Sequence, residues 1–296
     1  MFPTISRAYE ALIAPARSTS EIWRLILGVA IIVSIYLTFV IFVLTTAAGL
    51  GINMDDLYLT GARPMATLVV LVSFAGIPLG IGVVVLTLHR RPLSSVIALN
   101  SRQFWTHFQI AASISFVLAL ASLVLSLFYA DPQSNMPFWT WLVWFVPALP
   151  LVFLQTASEE LLFRGYLQQQ LAARFNARLI WWFLPSLAFG MLHYEPTTYG
   201  DNAWLVVAST TVFGLIAADV TARTGSLGAA IGIHFVNNTF ALLFVGLNGD
   251  LSGLALYVTP FTALDGERMG SFLMVDLVFL SALYYGYVRI MTRLGL

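Results

Sequence analysis

The sequence contains no cysteine and no lysine. Without cysteine there is no disulfide, no thiolate metal centre and no thiol nucleophile, so any chemistry falls to other groups. All 14 basic residues are arginine, and they are scattered, so no basic tract points to nucleic acid as a partner. Charge itself is scarce: 9% of residues carry it and 59% are hydrophobic, against about 25% charged in soluble domains. So little charge cannot clothe a water-facing surface. Also missing are a polar segment long enough for a soluble domain, an internal repeat and a low-complexity stretch. The absence of an inverted repeat weighs against the transporter folds built on one. Residues 1–20, MFPTISRAYEALIAPARSTS, lack the apolar core of a secretion signal and read as a short amphipathic or interfacial lead-in.

What is present is a succession of apolar stretches, each near the roughly 20 residues that cross a bilayer. Spans are expected over 22–48, 65–88, 108–130, 138–163, 179–194, 204–221, 227–247 and 271–290. The fourth continues as a more polar helix, LLFRGYLQQQLAARF, until Asn176 and Ala177 break it. Segment 89–107 reads as an interfacial loop or amphipathic helix.

The connections alternate in charge. Arg7, Arg17 and Arg24, then Arg90, Arg91 and Arg102, then Arg164, Arg174, Arg178 and Arg223, and last Arg289 and Arg293, fall on one side. Asp55, Asp56, Asp131, Glu195, Asp201, Asp250, Asp265 and Glu267 fall on the other, with Arg63 and Arg268 as exceptions. The positive-inside rule then places both termini in the cytoplasm, as an even number of crossings requires. The expected fold is an all-α membrane protein, a single polytopic domain over residues 1–296. About eight transmembrane helices would surround a polar cavity. The expected location is a cell membrane, of the bacterial inner-membrane kind, with the lipid bilayer as partner and no nucleic acid.

Ionisable residues inside spans are costly and mark cavities or partners. Span four carries Glu159 and Glu160 followed by Arg164, span five His193, and span seven His234 with Asn237 and Asn238. Glu160 and Arg164 stand four apart on a helix and can pair, as can His234 and Asn238 share one face. Glu159 is turned by about 100° from its neighbour, so one acid can meet Arg164 while the other faces a cavity. About the turn at Asn176–Ala177, Glu160 lies sixteen residues before and His193 sixteen residues after. Both then sit roughly 24 Å from the turn, side by side in an antiparallel hairpin. A carboxylate beside an imidazole can orient and deprotonate water. A second imidazole with an amide can donate to the oxyanion of a tetrahedral intermediate. These parts suit hydrolysis of an amide bond without a covalent intermediate.

Glu159-Glu160-Leu161-Leu162-Phe163-Arg164-Gly165 resembles the EExxxR motif of the CAAX-processing and bacteriocin-processing intramembrane peptidases. Phe189-Gly190-Met191-Leu192-His193 resembles their FxxxH motif, and His234-Phe235-Val236-Asn237-Asn238 their HxxxN motif. The resemblance spans residues 138–247, which it marks as a catalytic core. It implies the fold of the eukaryotic prenyl-protein endopeptidase, with helices around a water-filled chamber. Glu159 would be the activating base, His193 would help hold the water, and His234 with Asn238 would form the oxyanion pair. Glu160 and Arg164 would be structural, with Arg164 also assisting substrate. There is no HExxH, so no metal is required by sequence; were zinc used, Glu159, His193 and His234 would be its three ligands.

The expected activity is therefore an intramembrane endopeptidase acting on a membrane-associated protein or peptide from the cytoplasmic side. Two other classes compete: a transporter using the buried polar groups as a path, and a non-catalytic scaffold or immunity protein of the same fold. Blander expectations stand beside the sharp ones. Phe138, Trp139 and Trp141 read as an interface anchor, and Trp181 with Trp182 as another. Pro147, Pro150 and Pro185 read as kinks, Asn237 as packing, and Asp219 and Asp276 as buried acids with no evident partner.

Overall fold

The computed structural model describes residues 6–52, 63–129, 131–249 and 251–295. Asp55, Asp56 and Asp250, counted above among the acidic loop residues, lie outside them. A short helix α1 (Arg7–Ile13) precedes α2 (Ile22–Gly49). α3 (Pro64–Ser73) runs through a tight turn into α4 (Gly76–Thr87). α5 (Ser101–Tyr129) follows, then α6 (Phe138–Glu160), which passes through a π-helical turn, Leu161–Leu167, into α7 (Gln168–Arg174). After the break at 175–178, a second π-turn, Leu179–Phe183, opens α8 (Leu184–Met191). α9 (Ala203–Thr224), α10 (Gly228–Thr239) with a third π-turn, Phe240–Phe244, and α11 (Gly266–Leu294) complete the longer helices.

Six helical stretches are long and apolar enough to cross a membrane: Ile22–Gly49, Pro64–Thr87, Ser101–Ser126, Phe138–Arg174, Pro196–Thr224 and Gly266–Leu294. The protein is a helical, multi-pass membrane protein. The other two expected spans correspond to shorter apolar helices, Leu179–Met191 and Gly228–Phe244, below the roughly 20 residues of a full crossing. α9 is the centre of the bundle: 67% of its most apolar window is buried, against 11% for α5. The polar Ser209, Thr211 and Asp219 of α9 are buried along with its apolar residues, so the helix leaves little surface for lipid or water. Its Phe213, Ile216 and Val220 pack with Phe163, Phe189, Ile233 and Leu283 into the largest core cluster.

The all-α membrane fold is as expected, with one small addition: β1 (Gln133–Ser134), β2 (Val245–Asn248) and β3 (Tyr257–Thr262) form a small sheet in the order β1-β3-β2. β1 is antiparallel to β3 and β2 parallel to it. The sheet's segments are too short and too apolar at their flanks to stand out from neighbouring spans. Segment 89–107 is buried at both ends and becomes helical toward its close. His89 and His107 are 2% and 5% exposed, and α5 already begins at Ser101. His89 is held by Tyr166, Thr19 and Gln170 at 3.0, 3.1 and 3.0 Å, while Arg91 donates to Gln169 at 2.6 Å.

Other expectations need correcting. Neither Trp141 nor Trp181 is an interface anchor. Trp141 is buried and donates to the Leu243 carbonyl at 2.6 Å; Trp181 is buried against Tyr9, ring centroids 5.3 Å apart. Phe138 and Trp139 are exposed as expected. The lead-in is amphipathic, yet α1 buries Tyr9, Leu12 and Ile13 against Ala172, Trp181 and Ala222 rather than lying on a lipid surface. Asp219 is far from partnerless. It accepts from Arg178 and Tyr284 at 2.8 Å each and pairs with Arg223. Asp276 accepts from Ser209 at 3.0 Å.

Candidate active site

α6 and α10 lie against each other and run in opposite directions. As numbers rise along α6 from Gln155 to Glu160, they fall along α10 from Asn238 to His234. Residues four apart stack on one helix face, so two rungs join the helices at one level each. In the first, Asn238 Nδ2 donates to Gln155 Oε1 at 2.9 Å. In the second, His234 sits between the two acids, with Nδ1 2.8 Å from Glu160 Oε1 and Nε2 3.5 Å from Glu159 Oε2. The Pro147 and Pro150 interruptions lie more than a turn before this stretch of α6.

Glu160 is fully buried and Arg164 is 1% exposed, and the two pair at 2.9 Å. A charge in such a place must have a partner. Arg164 also rests on rings, its Cζ 4.8 Å from the centroid of Phe189 and 5.7 Å from that of Phe213, as a weakly hydrated guanidinium can. The π-turn begins at Leu161, immediately after the acids, and such turns favour functional sites. Gly165 within it meets Val96: a Cβ there would lie 2.7 Å from the Val96 carbonyl oxygen.

Glu159 is different. Its side chain is 16% exposed, and its carboxylate lies 3.5 Å from Nε2 of His234. The roughly 100° offset between adjacent residues thus sorts the two acids into one that is sealed and one that reaches open space. With both Glu160 and Arg164 closed off, Glu160 accepts from His234 as well as from Arg164. A carboxylate can only accept, so each ring nitrogen of His234 is placed to donate, Nδ1 toward Glu160 and Nε2 toward Glu159.

His193 stands just past the end of α8. Its Nδ1 is 2.9 Å from the carbonyl of Phe189, and its ring lies 4.9 Å from that of Phe189. Phe189 in turn is edge-on to His234 at 6.1 Å and to Phe163 at 5.1 Å. Through Phe189, α8 meets the π-turn that follows α6 and the imidazole of His234 on α10. Among the described residues no hydrogen bond joins His193 to Glu159. Asn237 is exposed and donates to Asn238 Oδ1 at 3.4 Å.

The three residues named for zinc were tested on the same geometry. Glu159 and Glu160 flank both nitrogens of His234, and His193 turns Nδ1 to a backbone carbonyl. Among the described residues no three of His, Asp and Glu come together as a metal-binding group. The set does not fit a three-ligand centre as it stands.

Sequence reasoning missed Gln155. The signal was there: a lone amide in the apolar run Leu151–Leu154, one helical turn before Glu159, in a span where polar residues are costly.

The buried acid–imidazole cluster lies within the stretch that comparison with known proteins picks out. Residues 137–240 match the family described as type II CAAX prenyl endopeptidase Rce1-like. That stretch holds all three motifs, and the family is one of intramembrane proteases. The chain is also similar to an uncharacterized protein of Bacillus subtilis (strain 168), YyaK. The two are 26% identical over 248 residues, which is 79% of this chain and 82% of that one. No solved structure matches.

Proposed function

We propose that this protein is an endopeptidase that hydrolyses a peptide bond of a membrane-associated protein or peptide with water activated by Glu159. The observation that carries the reading is the contrast between the two acids. Glu160 is committed to Arg164 and His234, whereas Glu159 keeps a partly open carboxylate 3.5 Å from Nε2 of the same imidazole. In this scheme water attacks the scissile carbonyl carbon and its proton passes to Glu159. The C–N bond then breaks, and the nitrogen's electron pair takes that proton as the amine leaves. His193, at the end of α8, helps hold the water. His234 Nε2–H and Asn238 Nδ2–H face the oxyanion, the first released from Glu159 as that carboxylate takes up the water's proton. Losing one such donor typically costs about 100- to 1,000-fold in rate.

No step in this reading is routed through a metal, and the lack of a group of three His, Asp or Glu among the described residues supports that choice. The site opens toward the cytoplasm in this reading, and all eight apolar helical segments cross the bilayer, the two shorter ones included. The packing supports this parity. Ser6 donates to the carbonyl of Ala222 at 2.6 Å and Tyr9 meets Trp181, so the start of the chain, the 175–178 turn and the end of α9 share one side. The chain acts as one membrane domain with its catalytic core in 138–247.

The test is hydrolysis of membrane-anchored candidate peptides by purified protein, compared with Glu159→Gln and His193→Ala, with and without a chelator. Cleavage lost in Glu159→Gln supports the reading. Cleavage retained in that variant overturns the glutamate base, and cleavage lost to chelator and restored by zinc overturns the metal-free route. Solute flux in liposomes without cleavage would make the protein a transporter.

A further inference from the structure

We infer that Gln155 is a positioning residue for the reaction: it sets the side-chain amide of Asn238 so that the second N–H of Nδ2 faces the reacting carbonyl. This rests on the hydrolytic reading above and adds a residue that none of the three motifs contains.

An asparagine amide has two ends that look alike in shape and opposite in chemistry, so something must choose which end faces the cavity. Here both ends are specified. Asn238 Nδ2 gives one N–H to Gln155 Oε1 at 2.9 Å, and Asn238 Oδ1 accepts from Asn237 Nδ2 at 3.4 Å. The choice falls mainly to Gln155, because that bond is the shorter and Gln155 is only 7% exposed, while Asn237 is exposed. Gln155 is itself placed by the catalytic helix. It lies one turn before Glu159, so the residue that holds the oxyanion amide and the residue that activates water share one face of α6. A shift of α6 relative to α10 would move base and oxyanion donor together.

A bond that merely tied α6 to α10 would stabilise the bundle and nothing more. A positioning role makes a different demand: the loss must appear in turnover and must depend on Asn238. Gln155→Leu, which removes the acceptor at similar size, is expected to lower kcat by roughly 10- to 100-fold with KM changed less than about twofold. In an Asn238→Ala background the same substitution should leave kcat unchanged, because there is no amide left to orient. Equal fold-losses in the two backgrounds would overturn the inference, as would a loss confined to KM or to thermal stability. Gln155→Met serves as the second variant should Leu prevent folding.

A measurement independent of hydrolysis separates this inference from the functional reading. In protein labelled with 15N-asparagine, one Nδ2 proton of Asn238 should be protected from exchange in the wild type. That protection should vanish in Gln155→Leu or Gln155→Met. If the wild type cleaves nothing, the endopeptidase reading fails while this signal still decides the bond, and an unprotected wild-type amide overturns the positioning role outright.

Discussion

Replacing Arg164 with methionine isolates the worth of the sealed ion pair. Arg164 and Glu160 are 1% and 0% exposed and 2.9 Å apart. Taking away the cation leaves a buried carboxylate with His234 Nδ1 as its remaining hydrogen-bond partner among the described residues. Breaking a buried pair from one side costs about 3–5 kcal/mol, since an uncompensated charge stays behind. The bond to His234 offsets part of this, so the expected loss is about 2–4 kcal/mol. For a chain of 296 residues that corresponds to a fall of roughly 3–6 °C in Tm. The pair of substitutions Glu160→Leu and Arg164→Met removes both charges while keeping volume, and such swaps are often neutral or stabilising. The double variant should therefore unfold above the Arg164→Met single variant, yet hydrolyse nothing, because His234 has lost the carboxylate that orients its ring. Thermal unfolding in bicelles, run beside the cleavage assay, reads both quantities. Arg164→Met within about 1 kcal/mol of wild type, or a double variant no more stable than the single, would refute the reasoning.

Glu159→Gln should lose about 100- to 10,000-fold in hydrolysis while its unfolding stays within about 0.5 kcal/mol of wild type; a large loss of stability would mean that Glu159 is a structural acid. Glu160→Gln should lose stability and activity together, because Arg164 and His234 both depend on it; unchanged unfolding would contradict that. In Gly232→Val the new Cβ would lie 2.7 Å from the Phe108 carbonyl oxygen of α5. α10 must then move, at about 1–3 kcal/mol, and hydrolysis should fall because His234 and Asn238 ride on it; full activity would show that α10 tolerates displacement. His89 is held neutral by burial and by neighbouring Arg91, its pKa pushed down to about 4 from an ordinary value of about 6.5. In the unfolded chain it charges below about 6.5, so unfolding takes up a proton between pH 6.5 and 4, and stability falls as pH falls through that window. His89→Gln should flatten the slope of the unfolding midpoint against pH there; an unaltered slope would place the effect elsewhere.

The motifs were legible because the residues that carry them are expensive in a bilayer. Glu159, Glu160, Arg164 and His234 stand out from their apolar surroundings, and helical spacing alone pairs Glu160 with Arg164 and stacks His234 on Asn238. The turn at 175–178 was legible for the same reason, from a polar break between apolar runs. What sequence hid was side-chain packing at long separation. His89 and His107 look like loop residues because arginines surround them, yet Tyr166 and Tyr287 meet them from helices far along the chain. Asp219 looks isolated until Arg178 and Tyr284 arrive from other elements. Trp141 carries the composition of an interface belt, and only the π-turn after α10 supplies the carbonyl that draws it inward. Counting residues puts His193 at the level of the acids but does not fix the direction of its ring, which packs on Phe189.

The seating of α1 has a consequence for how the protein is made. Ser6 bonds to a carbonyl 216 positions later in the chain, and Tyr9, Leu12 and Ile13 close over Ala172, Trp181 and Ala222. During synthesis the first segment therefore emerges with its binding surface not yet translated, and must wait at the membrane until α9 has been laid down. Docking of the amino terminus is then a late event that latches the hairpin carrying the acids, and a ribosome stalled before residue 222 would leave that hairpin without its clasp.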